Sequence, residues 1–230
     1  MKLYYFPLTS NNRKVLAVIH HLGLAPQMQV VNLLEDEHLR PEFLKLNPNH
    51  KTPTLEDGDF VLWESNAIMQ YLAGMVPGNG LWWPAEPRVR CDISRWQCWQ
   101  LAHWDGQACG PLVFENAVKR VFGRGEPDPA VVAQAESSFH RFAAVLEGHL
   151  KGRKWLVGSG VTLADFAVAA PLMHAEDGAF PLEGYGEIRR WYDRVEALDA
   201  WQKSAPPPRA SDAAFHGGQA HAVHAAHLPG

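Results

Sequence analysis

The sequence predicts a small α/β domain with a mixed sheet, followed by an all-helical domain. Roughly the first 75 residues alternate β-type and helical runs in the order βαβαββα. The last two β-type runs flank Asp57-Gly58-Asp59, which is a strong hairpin signal. Beyond a segment rich in proline and glycine, the pattern changes to long helices. A β-α-β start that ends in an antiparallel hairpin gives a mixed sheet with helices on its faces.

The elements of the first half follow from these alternating runs. The run KLYYF at residues 2–6 predicts the first strand. The helix after it has one apolar face and ends near Gly23; that face consists of Val15, Leu16, Val18, Ile19 and Leu22. The other predicted elements are a strand at Gln29–Leu33, a short helix in the polar stretch that follows, hairpin strands at 54–56 and 60–63, and a helix at Ser65–Ala73.

The second half is predicted to be all-α, with helices at Arg88–Ala108, Ala130–Leu150, Thr162–Leu172 and Glu187–Trp201. Thr162 and Asp165 predict a capping box, a structural motif, at the start of the third of these helices. The predicted domain limits are 1–76, a linker at 77–87, a helical domain at 88–203 and a tail at 204–230. Histidines in the tail could bind metal, but a flexible or loosely docked terminus is the simpler interpretation, so no metal is expected.

Composition narrows the class of protein. The chain has 230 residues, a net charge of −4 and no dense run of lysine and arginine, which argues against nucleic-acid binding. It shows neither the long apolar core of a signal peptide nor a window that could span a membrane, which predicts a cytoplasmic protein. Cys91, Cys98 and Cys109 form no C-x-x-C pair and are predicted to be packing residues rather than redox groups.

The most specific motif is NPNHKTPTL at Asn47–Leu55, followed after the hairpin by ESNAI at Glu64–Ile68. With these residues the chain resembles the cytosolic glutathione transferases, whose members carry N-P-x-x-x-[VT]-P-x-L and then E-S-x-A-I at about this separation. The resemblance covers roughly residues 2–202. It implies a thioredoxin-like N-terminal domain that holds glutathione and an all-helical domain that holds the second substrate, in a bacterial theta- or nu-like subtype of the Ser/Thr/Asn type.

The resemblance also implies where glutathione binds. The Thr52–Pro53 bond should be cis, and the Thr52 backbone should pair with the cysteinyl backbone of glutathione like an added strand. Glu64 and Ser65 should hold the γ-glutamyl end, because a helix N-terminus and a hydroxyl suit a carboxylate and Glu64 suits an ammonium group. His38 and Lys51 are the predicted ligands of the glycyl carboxylate. Ser65 taken alone could equally be a helix cap.

The thiol-activating group is expected between the first strand and the first helix. Many members of the family place there a hydroxyl or amide that donates a hydrogen bond to the glutathione sulfur, and this donor favours the thiolate. Thr9, Ser10 and Asn11 are the candidates, and the sequence does not decide among them. One of them is also expected to cap the helix, and Tyr5 is a further candidate if the strand register differs. No cysteine occurs at 7–14, which argues against glutaredoxins and omega-like members.

The second-substrate pocket is expected between the Thr9 loop and the tryptophan-rich helix, with His103, Trp104 and Phe114 as its predicted residues. Phe122 and Asp105 are further candidates.

The resemblance therefore predicts a homodimeric glutathione transferase of detoxification type that uses glutathione as co-substrate. Its second substrate is a small hydrophobic electrophile, and neither a membrane nor nucleic acid is a partner. Two alternatives remain open. One is a glutathione-dependent peroxidase or disulfide-bond reductase, and the other is a non-catalytic, glutathione-binding regulatory protein.

Overall fold

The N-terminal region is built on a four-stranded mixed sheet, as predicted. The computed structural model describes residues 1–76, 78, 83 and 86–207. The strands are β1 (Lys2–Tyr5), β2 (Gln27–Val30), β3 (Thr54–Asp57) and β4 (Phe60–Trp63), in the spatial order β2-β1-β3-β4. β1 pairs parallel with β2 and antiparallel with β3, and β3 and β4 form the predicted hairpin. This is the thioredoxin-like arrangement.

The helices of this region connect and cover the sheet. They are α1 (Ser10–Leu22), the one-turn α2 (Pro41–Leu44) and α3 (Ser65–Met75), with 3₁₀ turns at Leu33–Glu35 and Glu37–Leu39. Gly23 ends α1 with φ +64°, a left-handed conformation that costs glycine little. β2 ends before the predicted limit because the Asn32 side chain accepts a 3.0 Å hydrogen bond from Leu34 N, which starts a 3₁₀ turn where a strand was predicted.

The second region is helical. Its α-helices are α4 (Pro87–Trp99), α5 (Gly110–Val113), α6 (Lys119–Val121), α7 (Pro129–Leu150), α8 (Leu163–Ala169), α9 (Gly186–Glu196) and α10 (Asp199–Lys203). A 3₁₀ segment, Ala170–His174, follows α8. The helix predicted at Glu187–Trp201 is two helices, because the backbone of Leu198 is extended and caps α10. No helix within the described residues combines the length and apolar character needed to cross a bilayer.

Two π-helical segments interrupt the series that starts with α4. They span Gln100–Cys109 and Phe114–Val118, and they were not predicted from the sequence. In a π-helix each residue faces the carbonyl five positions before it. A Cβ at Gly106 would lie 2.6 Å from Leu101 O, and one at Gly110 would lie 2.7 Å from Asp105 O. The two glycines therefore permit this backbone, and such segments are frequent at functional sites.

One apolar core joins the two regions, because α1 packs against both α3 and α10. Trp104, Trp191 and Trp201 are among its largest fully buried side chains. Cys109 is buried as predicted, whereas Cys91 and Cys98 are exposed on α4, so the prediction that they pack was wrong. Most of the predicted linker and the tail histidines at 216, 221, 224 and 227 lie outside the described residues.

The predicted capping box starts α8. Thr162 Oγ1 accepts a 3.2 Å hydrogen bond from Ala164 N, and Asp165 Oδ2 accepts a 2.9 Å bond from Thr162 N. Asp165 Oδ1 also accepts 2.9 Å bonds from Leu156 N and Trp191 Nε1. All these groups are buried, so the motif ties α8 to the loop before it and to α9.

Thr162→Ala should lower the free energy of unfolding by about 1 kcal/mol, because it removes a buried cap without removing Asp165. Denaturant titration measures this difference. Ser159→Ala, an exposed position in the same loop, is the control and should leave stability unchanged. Equal stability of the Thr162 variant and the wild type would show that the cap contributes nothing.

Candidate active site

Thr9 lies at the point where β1 passes into α1. Its backbone is extended, and its carbonyl accepts hydrogen bonds from Asn12 N and Arg13 N. Its side chain, however, makes no capping hydrogen bond to the helix backbone. Thr9 is therefore the N-cap residue, as predicted for one of the three candidates, but its hydroxyl takes no part in the capping and lies at the positive end of a 13-residue helix.

Asn12 fixes this loop, and it was not among the predicted site residues. Its fully buried side-chain amide donates to Thr9 Oγ1 and, at 3.0 Å, to Thr52 Oγ1. Its Oδ1 accepts a 3.3 Å bond from Phe6 N. One side chain thus joins the end of β1, the start of α1 and the loop before Pro53. An asparagine in the first turn of a helix was the only signal of this role in the sequence.

The bond from Asn12 sets the direction in which Thr9 can donate. A hydroxyl has one hydrogen and two acceptor positions, and Thr9 Oγ1 is already an acceptor from Asn12. No acceptor for the Thr9 hydroxyl hydrogen occurs among the described residues, so that hydrogen is free to point out of the loop. Within the described residues the Ser10 hydroxyl and the Asn11 side-chain NH2 group likewise have no acceptor, so the choice among the three thiol donors stays a prediction. Thr9 differs from the other two in the hydrogen bond that it accepts from Asn12.

The other two predicted donors face different surroundings. Ser10, the first residue of α1, lines a cavity together with Thr9. Asn11 turns toward α3, where its Oδ1 accepts a 3.1 Å hydrogen bond from Ser65 Oγ. Asn11 therefore joins the N-termini of α1 and α3. Tyr5 packs half-buried against the core.

The loop before β3 is held in one conformation by Asn47. The Thr52–Pro53 bond is cis, as the resemblance implied. Asn47 is buried; its Nδ2 donates 2.7 Å to Lys51 O and 3.1 Å to Thr54 Oγ1. Its Oδ1 accepts a 2.9 Å bond from Asn49 N. Lys51 itself is exposed and has no ion-pair partner in the part of the chain that the structure describes.

Glu64 and Ser65 occupy the turn from β4 into α3. Glu64 has φ +70°, a left-handed conformation that costs a non-glycine residue about 1–3 kcal/mol and is frequent at functional sites. Its exposed carboxylate has no ion-pair partner among the described residues. Ser65 is buried and begins α3, so its backbone N–H lies at a helix N-terminus. A carboxylate beside a helix N-terminus suits the ammonium and carboxylate of one amino acid.

His38 lies apart from this turn, on the 3₁₀ segment Glu37–Leu39. Its Nδ1 is buried and has no hydrogen-bond partner among the described residues. Within the described residues, His38 makes no contact with Lys51. The prediction that both bind the glycyl carboxylate therefore stays a prediction.

Behind Thr9, a buried polar chain crosses from α1 to the first π-helical segment. Lys14 Nζ, fully buried, donates 3.0 Å to Gln100 Oε1, and Gln100 Nε2 donates 3.3 Å to Asp105 Oδ2. Burial lowers the pKa of Lys14 to about 7, against the opposing charges of Asp105 and Glu64. Burial raises the pKa of Asp105, against the opposing charge of Lys14.

Two cavities open beside Thr9. The inner one has a volume of about 280 Å³, and the outer one about 1050 Å³. They are adjacent, because they share the lining residues Leu8, Thr9, Val113, Val118 and His174. Their walls are mostly apolar, which suits a hydrophobic ligand placed against the Thr9 hydroxyl.

The predicted second-substrate residues take three different positions. Phe114 lines the inner cavity, and Phe122 lines the outer one. Trp104 is fully buried beside Trp99 and Phe139 and lines neither cavity. His103 is exposed and packs on Phe142. Two valines that the sequence analysis did not name, at 113 and 118, line both cavities.

Comparison with known proteins gives matches in both regions. Residues 1–74 match the family model described as "Glutathione S-transferase, N-terminal domain", and residues 111–199 match "Glutathione S-transferase, C-terminal domain". The chain is 33% identical to "Glutathione S-transferase 3" of Zea mays over 93% of this chain and 99% of that protein.

Solved structures agree with these matches. Human glutathione-S-transferase T1-1 in its apo form superposes with a TM-score of 0.81 and 27% identity, covering 88% of this chain and 87% of that one. A glutathione transferase homolog from Lodderomyces elongisporus, solved with two GSH per subunit, has a TM-score of 0.76 and 29% identity. That match covers 88% of this chain and 96% of the other.

The buried ammonium of Lys14 should make stability depend on pH. Its pKa is lower in the folded chain than in the unfolded chain, where lysine titrates near 10.4, so the unfolded state binds more protons above pH 7. The free energy of unfolding of the wild type, relative to Lys14→Met, should therefore rise between about pH 7 and pH 9, by at most about 1.4 kcal/mol per pH unit. Urea titrations across this range measure the difference. A difference that stays flat would contradict a titrating, buried Lys14.

Proposed function

The chain belongs to the glutathione S-transferase family, and we propose that it activates the glutathione thiol as a thiolate for attack on a small apolar electrophile. The observation that carries this proposal is the Thr9 hydroxyl. Asn12 holds it with its hydrogen free, at the positive end of α1 and on the wall shared by both cavities.

Glutathione is proposed to lie across the N-terminal ends of α1 and α3. The Thr52 backbone, before the cis bond, pairs with the cysteinyl residue like an added strand. Glu64 binds the γ-glutamyl ammonium, and the Ser65 N–H binds the adjacent carboxylate. Lys51, with His38 as the second candidate, binds the glycyl carboxylate. Asn11 belongs to the γ-glutamyl end because it contacts Ser65.

The proposed chemistry begins with the thiol. A free thiol has a pKa near 8.5, so about a tenth or less is thiolate at neutral pH. A hydrogen bond from Thr9 and the helix N-terminus both stabilise the charged sulfur and lower that pKa. The thiolate then attacks the electrophilic carbon, a carbon–sulfur bond forms, and the leaving group departs with its electron pair. The cavity supplies proximity by holding the electrophile against the sulfur.

A glutathione-dependent disulfide-bond reductase or peroxidase is the second candidate. The observation that favours it is the size of the outer cavity, about 1050 Å³, which could accommodate a second glutathione. The similar Lodderomyces elongisporus structure holds two GSH per subunit. In this reaction the thiolate attacks a disulfide or peroxide, and a thiolate or alkoxide leaves with the electron pair of the broken S–S or O–O bond. A second glutathione then attacks the sulfur of the resulting mixed disulfide or sulfenic acid, which yields glutathione disulfide and a thiol or water. A regulatory, non-catalytic role is the weaker alternative, because it would not need the free hydroxyl at Thr9.

A homodimer and a cytoplasmic location are also part of the proposal, as the resemblance implied. Large exposed apolar side chains on β4 and α3 support a dimer, since Phe60, Trp63 and Met75 are each at least 40% exposed. The theta- or nu-like subtype stays a prediction, because the related proteins include plant, yeast and human members.

Thr9→Ala should raise the pKa of bound glutathione toward its free value and lower kcat/KM for a chloronitrobenzene acceptor by about a hundredfold, because one donor to a developing charge is lost. Thr9→Ser should keep most activity, and Ser10→Ala is the matched control. Ultraviolet absorbance of the thiolate gives the pKa, and a parallel assay with hydroxyethyl disulfide separates conjugation from reduction. A larger loss in Ser10→Ala than in Thr9→Ala would reassign the donor.

A further inference from the structure

The second-substrate cavity is mostly apolar, and a few ionisable side chains stand in its walls. The ionisable side chains along its inner and outer parts are the carboxylates of Asp105, Glu176 and Asp177, the guanidinium of Arg120 and the imidazole of His174. Arg120 lies on the outer cavity only. The inner cavity is where the sulfur chemistry is proposed. Its lining includes one carboxylate, that of Asp105, together with His174, but no lysine or arginine.

Asp105 is placed to accept a hydrogen bond from a ligand. It lines the inner cavity together with Thr9 and Ser10. Within the described residues, its carboxylate receives one long hydrogen bond, 3.3 Å from Gln100 Nε2, and no ion pair. A carboxylate offers about four acceptor positions, so most of its capacity is unused.

The carboxylate is also held in place and is only partly neutralised. Lys14 fixes Gln100, and Gln100 fixes Asp105 Oδ2. The Lys14 charge interacts with Glu64 as well as with Asp105, so one cation is shared between two carboxylates. Proposed glutathione binding adds a thiolate to the same cavity, which increases its preference for a positive group.

We infer that the second substrate is an electrophile with an apolar body and a protonated amine or similar hydrogen-bond donor, and that Asp105 is the specificity-determining residue that accepts from this group. This inference rests on the proposed function, because it assigns the same cavity to the electrophile. The donor lies near the reacting carbon, since Asp105 and Thr9 share a space of about 280 Å³. Gln100 is a positioning residue for Asp105.

The test uses chloronitrobenzene acceptors that differ in one ring substituent: aminomethyl, methyl or carboxylate. Each kcat/KM is divided by the uncatalysed rate of the same acceptor with glutathione, which removes differences in intrinsic reactivity. The wild type should prefer the aminomethyl acceptor. Asp105→Asn should lower kcat/KM for it about tenfold or more, as expected for loss of a hydrogen bond to a charged group, and should change the methyl acceptor by about twofold at most. Glu176→Gln, on the outer cavity, is the control and should have a smaller effect.

Two results would overturn the inference: a wild-type preference for the carboxylate acceptor, or an equal loss for all three acceptors in Asp105→Asn. Conjugation of none of the three would instead overturn the proposed transferase.

A second experiment tests the substrate class by calorimetry, with the wild-type protein and the chemically prepared glutathione conjugates of the same acceptors. Tighter binding of the aminomethyl conjugate than of the carboxylate conjugate supports the inference, and the reverse order overturns it. This comparison needs no variant to fold.

Discussion

The arrangement at the N-terminus of α1 depends on one buried side chain, the amide of Asn12. A buried amide must satisfy its hydrogen bonds, because an unpaired polar group costs about 1–3 kcal/mol. Asn12 does so with Thr9, Thr52 and Phe6 N, which belong to three different segments. The bond to Thr9 makes the Thr9 hydroxyl an acceptor and leaves its hydrogen free to donate. The hydrogen bonds that satisfy the buried Asn12 amide therefore also orient the proposed thiol donor.

A second constraint joins the two regions. Burying a lysine between them is costly, and Gln100 and the nearby carboxylates offset only part of that cost. The π-helical backbone brings Asp105 to the inner cavity while Gln100 stays on Lys14. Thr9 from one region and Asp105 from the other therefore meet at one small cavity, which neither region could form alone.

Periodicity and the Asp57-Gly58-Asp59 turn predicted the mixed sheet and the helical second half, because both signals are local. The cis bond before Pro53 could be predicted because Lys51–Pro53 lies within a long motif. The rest depends on tertiary contacts. Asn11 was named as a candidate donor and its neighbour Asn12 was not, because only packing sends Asn11 to Ser65 and Asn12 to Thr9. A π-helical segment also has no simple period in the sequence, so it could not be predicted. The residues predicted for the pocket at 103 and 104 lie in such a segment and do not face the cavity.

The most direct test of this account is the pKa of bound glutathione in Asn12→Asp, followed by the ultraviolet absorbance of the thiolate. This change keeps the size of the side chain and its acceptor for Phe6 N but replaces its N–H donors with an acceptor. The Thr9 hydroxyl should then donate to the new carboxylate and be lost to the sulfur, so the thiol pKa should rise toward the free value near 8.5. Asn11→Asp is the matched control, and melting curves verify that both variants fold. An unchanged thiol pKa in folded Asn12→Asp would contradict the central claim that Asn12 directs the Thr9 hydroxyl.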